Sequence, residues 1–160
     1  MTKPLHMALL LALLAAAPAG WAQSGQTDPA LGRQLRGMGY DYEVDADGDY
    51  RLVFELEGGR SQLVYVRSPV ENYGSLSVRE IWSPGFRVKG SPFPAAIADR
   101  LLVESERSKL GGWVRQGDMA MFVVKIDAAA GNDQLADAID AAIRSADELE
   151  QEMTLGADEF

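Results

Sequence analysis

Residues Tyr40 to Arg67 read YDYEVDADGDYRLVFELEGGRSQLVYVR, and this stretch decides the fold. Apolar and polar side chains alternate through most of it, which is the period of a strand with one buried face. Two short polar segments interrupt the alternation, DADGD at Asp45–Asp49 and EGGR at Glu57–Arg60. Because glycine in such a segment is typical of a hairpin turn, the sequence predicts a three-stranded antiparallel meander.

A short helix is predicted before the meander. Asp28 is a good helix cap, and Pro29 fits the first turn, where its missing N–H is not needed. Gly39 ends the helix, because glycine readily adopts the left-handed conformation that follows a helix end. The apolar residues in between recur at helical spacing, namely Leu31, Leu35 and Met38.

The segment Ser68–Pro94 is rich in proline and glycine, and it is predicted to be the least regular part of the chain. Within it, alternation over Ser75–Trp82 indicates a fourth strand. A second helix is predicted over Phe93–Arg107, with an inward face formed by Ile97, Leu101 and Leu102.

The remaining sequence predicts two strands and a long helix. The strands are Leu110–Arg115 and Met119–Asp127, and the second is apolar enough to be a central strand buried on most of both faces. Asn132 or Asp133 is the expected cap of the helix, and its apolar stripe continues to Met153.

The fold class that follows is α+β, with helices packed on an antiparallel sheet in the order α-β-β-β-(β)-α-β-β-α. A single domain is expected over residues 29–154. A flexible start at 23–28 is expected before it, and a frayed tail at 155–160 after it.

The first 22 residues have the three-part layout of a secretory signal peptide. Lys3 precedes an uninterrupted apolar run, MALLLALLAAA at Met7–Ala17, and small residues follow up to Ala22. The run is too short for a stable membrane span, since the apolar core of a bilayer is about 30 Å thick. We therefore expect cleavage after Ala22, a periplasmic or secreted mature chain, and no membrane span once the signal is removed.

The composition argues against the commonest catalytic chemistry. The chain has no cysteine, and its one histidine, His6, lies within the expected signal peptide. Without that segment, no residue is left for a Ser-His triad, a Cys-His dyad or a His-ligated zinc. The sequence therefore predicts a non-enzyme without a cofactor, although carboxylate, Lys, Tyr and Ser–Lys chemistry stays open. The formal net charge of −9 also argues against nucleic acid as a partner, since phosphate binding needs clustered cations.

Three short stretches carry a resemblance to a known family. They are Leu35 with Gly39-Tyr40, the turn Asp47-Gly48-Asp49-Tyr50, and Ala146-Asp147-Glu148-Leu149 in the last helix. With the order of elements, they resemble the YbjN-type family of bacterial domains, which has the type III secretion chaperone-like fold. The signal peptide and the proline-rich Ser68–Pro94 segment depart from the family pattern. The resemblance implies a non-catalytic, protein-binding or regulatory domain, often dimeric, and it supplies no catalytic residues.

Four aromatic residues are candidates for contact with a partner. Trp82, Phe86 and Phe93 flank the irregular backbone of the proline-rich segment, and Trp113 follows the pair Gly111-Gly112. Aromatic side chains are enriched in protein interfaces, but the same four residues could also pack into the core or form its lid. Both interpretations stay open from the sequence.

The acidic turn Asp45–Asp49 raises the question of a metal site. An EF-hand loop that began at Asp45 would need glycine at its sixth position and glutamate at its twelfth. Those positions hold Tyr50 and Leu56, so a hairpin turn explains the aspartates better, although weak calcium binding stays open.

The leading hypothesis is an exported binding or chaperone-like module that acts on an unidentified protein partner, with a homodimer as a further expectation. One alternative is a carboxylate- or Ser-based hydrolase of an envelope polymer. Another is a carrier of a small ligand or a metal.

Overall fold

The computed structural model describes residues 25–90 and 92–160. The expected signal peptide and its cleavage after Ala22 lie outside these residues. Within them the fold is α+β, as predicted, with three α-helices and seven strands in one antiparallel sheet. None of the described helices is both long enough and apolar enough to cross a membrane.

The helices are α1 (Pro29–Gly37), α2 (Ala95–Arg107) and α3 (Asn132–Thr154). The strands are β1 (Glu43–Val44), β2 (Tyr50–Glu55), β3 (Ser61–Val66), β4 (Glu71–Tyr73), β5 (Leu76–Arg87), β6 (Gly112–Gln116) and β7 (Met119–Asp127). Their order across the sheet is β1-β2-β3-β5-β7-β6, and β4 pairs with β5 off this path.

The core lies between the sheet and the helices. The apolar stripe predicted for α3 is buried, and it packs with α1 against alternate residues of β2, β3, β5 and β7. A second, smaller cluster forms where Leu101 of α2 meets Ala120 of β7 and Leu149 of α3. Ala120, Phe122 and Val124 alternate along β7 and therefore share one face, so the three helices cover the same side of the sheet.

The α1 helix begins as the sequence predicts. The Asp28 carboxylate accepts hydrogen bonds from the backbone N–H groups of Ala30 and Leu31, and Pro29 occupies the first turn. The prediction for α3 was wrong, because its N-cap is Gly131. Asn132 does not cap the helix, since its side-chain oxygen accepts a hydrogen bond from Gln34 of α1 at 3.3 Å.

Two predicted boundaries and one predicted buried face differ from the structure. The strand expected from Tyr40 is limited to β1, and the Tyr40 and Tyr42 rings before it pack edge-on against Phe54 and Tyr50. The α2 helix begins at Ala95 instead of Phe93. Its buried face is also narrower than expected, since Leu101 is buried while Leu102 is 68% exposed.

The proline-rich segment is more regular than its composition indicates. It contains β4 and the 12-residue strand β5, which continues through Pro84 and Gly85. A register shift between Pro84 and Phe86 lets β5 stay paired with β7. On its other side, β5 pairs with β3 only around Tyr65 and Val66, so the two strands separate towards Pro84.

Candidate binding site on the uncovered face of the sheet

The face of the sheet away from the helices carries large apolar side chains. Tyr65 of β3 lies opposite Trp82 of β5, and Trp82 lies opposite Val123 of β7. One step along, Pro84 lies opposite Met121. No described helix packs on this face, although all three pack on the other.

A groove with a volume of about 290 Å³ lies on this face. Seven of its lining residues are apolar or aromatic, namely Leu63, Tyr65, Trp82, Pro84, Met119, Met121 and Phe160. Charged residues stand around it, namely Asp45, Asp47, Asp49, Arg67 and Arg87. An apolar floor with polar groups around it is the usual composition of a binding surface.

Polar contacts fix the Trp82 side chain in this groove. The indole N–H donates a hydrogen bond to the Glu80 carboxylate at 2.9 Å, and the Arg67 guanidinium lies 5.3 Å from the ring centroid. Lys125 pairs with the same carboxylate at 2.7 Å. Burial alone would raise the pKa of Glu80, but the hydrogen bonds from Lys125 and Trp82 outweigh it and lower that pKa. Glu80 is therefore a charged anchor for the indole.

The acidic turn forms one end of the groove. Two of its three carboxylates are engaged. Asp45 accepts hydrogen bonds from the N–H groups of Asp47 and Asp49. Asp49 is buried; it pairs with Arg67 and accepts a hydrogen bond from the Ser68 N–H at 2.7 Å. Burial raises the pKa of Asp49. Among residues 25–90 and 92–160, no three metal-ligating side chains are grouped to hold an ion.

The four aromatic candidates separate onto the two faces of the sheet. Trp82 lies on the uncovered face, in the groove. Phe86, Phe93 and Trp113 belong to the second core cluster on the helix side. Trp113 packs edge-on against Phe122 with ring centroids 5.2 Å apart. The structure therefore brings three of the candidates together in the core and leaves one for the groove.

Sequence reasoning missed most of the groove. Leu63, Tyr65, Met119 and Met121 carry no motif, and each reads as an ordinary residue of an alternating or apolar strand. The alternation shows which residues share a face, but not which face the helices cover. That assignment needs the pairing of β3, β5 and β7, which are far apart in the sequence.

A second groove, with a volume of about 670 Å³, lies between α2 and α3. Three glutamates line it, Glu104, Glu148 and Glu152, and a carboxylate hydrolase would need such acids to converge. Arg100 pairs with both Glu104 and Glu152 across the groove. Two of the three carboxylates thus have a cationic partner and serve to join the helices.

The last residues of the sequence reach the first groove from the helix side. Phe160 lies in its lining, and the Arg87 guanidinium stands 5.7 Å from the Phe160 ring centroid. The segment 155–160 therefore lies against the domain instead of fraying from it.

No protein-family model matches the sequence, and no curated protein is significantly similar to it.

Proposed function

We propose that this protein is an exported, non-catalytic binding module that holds a protein segment on the uncovered face of its sheet. The observation that carries the proposal is the arrangement of the domain, with all three described helices on one face and a groove of apolar and charged side chains on the other. A sheet face that stays in water normally carries polar side chains. Trp82 and Tyr65, which are only half-buried on that face, instead favour contact with another molecule.

The shape of the groove favours an extended segment over a small ligand. It follows three neighbouring strands, and it has an acidic turn at one end and Arg87 at the other. Its volume of about 290 Å³ is at the lower limit for a pocket that encloses a drug-sized molecule. A peptide that lies across the strands can use both charged ends as well as the apolar floor.

The export and the family assignment rest on the sequence. The layout of residues 1–22 supports a cleaved signal, and the three short stretches described under the sequence support the resemblance to YbjN-type domains. That resemblance favours a regulatory or chaperone-like role in the periplasm. The absence of cysteine, and of histidine after His6, supports a role without catalysis.

Site-specific photo-crosslinking tests the binding function. A photoreactive phenylalanine analogue replaces Tyr65, which lies in the groove, and in a matched chain it replaces Tyr73, which is 82% exposed outside the groove. We expect the analogue at position 65 to form a defined protein adduct in the periplasm of the producing cell, and the one at 73 to form none. Trp82→Ala should weaken the adduct at 65.

Two other outcomes decide the remaining parts of the proposal. An adduct with twice the mass of the chain would identify a second copy as the partner. Equal labelling from both positions, or no adduct from position 65, would contradict a binding role for this face. Export is tested separately by the intact mass of the purified chain, which should begin at Gln23 in the wild type and not in an Ala22→Arg variant.

A further inference from the structure

The segment Leu155–Phe160, LGADEF, binds its own domain where β3 and β5 separate. Asp158 contacts Ser61 at the start of β3, and Glu159 and Phe160 contact Arg87 at the end of β5. The segment therefore bridges the two strands at the point where they no longer pair with each other. Phe160 then lies among the apolar side chains of the groove.

Part of this contact is independent of the side chains of the segment. Arg60 donates hydrogen bonds to the backbone carbonyls of Gly156 and Ala157. The carboxylate of Glu150, which is 0% exposed, accepts hydrogen bonds from the N–H groups of Glu159 and Phe160. Arg60 also pairs with Glu150 at 2.8 Å. These contacts are made to the backbone of the segment and not to its side chains.

Other contacts select for acidic and aromatic side chains. The Asp158 carboxylate accepts hydrogen bonds from the backbone N–H of Ser61 at 3.1 Å and from its hydroxyl at 3.0 Å. Arg87 faces both the Glu159 carboxylate, at 3.8 Å, and the Phe160 ring. A cation next to an aromatic ring attracts its negative face. The tail thus presents to these groups an aspartate followed, two residues later, by an aromatic residue.

The start of the segment is in an unfavourable conformation. Leu155 has a φ of 57°, in the left-handed region, and its side chain is 95% exposed. A leucine there has steric strain and gains nothing from burial. The bound state of the segment is therefore opposed by its own first residue, which favours a contact that can open.

We propose that Ser61, Arg87 and the adjoining end of the groove recognise partner segments of the type Asp-x-aromatic, and that residues 155–160 hold these contacts in their absence as a displaceable internal competitor. The inference rests on the proposed function, because it names the chemistry of the segment that the face binds. A tethered competitor has a high effective concentration at its site, so it weakens binding of any outside peptide of the same kind.

Fluorescence polarisation with a labelled peptide tests this competition. The probe is the peptide Leu-Gly-Ala-Asp-Glu-Phe with fluorescein at its amino end, titrated with the mature chain. We expect the variant Asp158→Ala/Phe160→Ala to bind the probe about tenfold more tightly than the wild type, because its own tail no longer competes. Adding Arg87→Gln to that variant should remove most of the gain, whereas Arg144→Gln, on the exposed side of α3, should not.

The outcomes separate this inference from the proposed function. Equal affinity for the wild type and the tail variant, or a gain that Arg87→Gln leaves intact, would overturn the inference, and crosslinking from position 65 would still report on the function. A concentration-dependent dimer of the wild type that Phe160→Ala returns to monomer would place the tail in a second copy and overturn the internal arrangement. If the tail variant binds the probe tightly but the chain forms no adduct from position 65, the competition is supported and the proposed binding function is contradicted.

Discussion

Asp28 and Arg79 lie 51 residues apart in the sequence, and their side chains meet at 2.6 Å on the helix side of the sheet. The same aspartate caps α1, and Arg79 also donates hydrogen bonds to the carbonyls of Arg67 and Ser68. One carboxylate therefore joins the start of the first helix to β5 and to the chain that follows β3.

Substitution of Asp28 should separate its two roles. Asp28→Ala removes the cap and leaves a buried guanidinium without its anion, so we expect the free energy of unfolding to fall by about 4 kcal/mol. Asp28→Asn keeps an oxygen that can cap the helix, and we expect it to cost about 1 kcal/mol less. Urea unfolding of the two variants measures the difference. Equal losses would show that the cap contributes nothing.

The pH dependence of stability follows from the shifts of individual carboxyl groups. Burial works against the charge of Asp28, but hydrogen bonds from Arg79 and from Ala30 and Leu31 outweigh it and hold its pKa below the ordinary 3.8. Its contribution to stability is therefore complete above pH 3.8 and is lost as the pH falls through the lower, folded value. The stability difference between the wild type and Asp28→Asn should be largest near neutral pH and shrink in strong acid. A difference that stays constant with pH would contradict the assignment.

The pKa shift of Glu150 has the opposite effect on the pH dependence of stability. Burial raises its pKa above the ordinary 4.5, although Arg60 and the N–H groups of the tail offset part of that rise. The unfavourable charge is absent below pH 4.5 and appears as the pH rises through the folded value. Glu150 thus makes the fold more stable in mild acid than at neutral pH, whereas Asp28 accounts for a loss of stability in strong acid.

Gly85 is the position where the sheet comes closest to α3. A β-carbon there would lie 2.5 Å from Cη2 of Trp113 and 3.1 Å from the carbonyl oxygen of Ala146. Gly85→Ala should therefore destabilise the fold by about 1–3 kcal/mol, because neither neighbour can move freely. Gly37→Ala is the matched control, since nothing lies within 4 Å of its β-carbon and the residue is helical. We expect the control to be neutral or slightly stabilising, and a similar loss in both would refute the packing argument.

Leu155 offers a test of strain at the end of α3. Because its φ is 57° and its side chain is exposed, Leu155→Gly should stabilise the folded chain by about 1 kcal/mol in thermal or urea unfolding. Gly156→Ala is the opposite change, since Gly156 has a φ of 87°. Gly156→Ala should therefore destabilise the folded chain. A destabilised Leu155→Gly variant would show that the tail does not hold this conformation.

The order of elements could be predicted from the sequence because each depends on local signals. Alternation defined the strands around DADGD and EGGR, and a stripe of period 3 and 4 defined α3. The errors fall where distant residues override local preference. Asn132 or Asp133 was expected to cap α3, but Asn132 bonds to Gln34. The proline in β5 was expected to interrupt a strand that instead pairs with β7 from Val78 to Arg87.

The groove depends on residues distant in the sequence to a greater degree than the order of elements does, so less of it could be predicted. Trp82 was a candidate from the sequence, but its neighbours are ordinary strand residues that become a surface only when β3, β5 and β7 align. Phe86 and Trp82 are four residues apart, and Phe86 nevertheless lies on the helix side, because the irregularity after Pro84 changes the face of the strand. No local pattern reveals such a change.

Where β3 and β5 separate, the facing sides of the two strands are unpaired, so the sheet has a strand edge between them as well as at its two ends. Unpaired backbone groups at such an edge can recruit a strand from another molecule and start aggregation. Gln62 donates a hydrogen bond across the opening to the Pro84 carbonyl, and Ser83 donates one to the Leu63 carbonyl. The segment 155–160 covers the rest of the opening. A chain that releases this segment to admit a partner therefore also exposes strand backbone that can pair with a second chain, and its solubility depends on how briefly the opening stays empty.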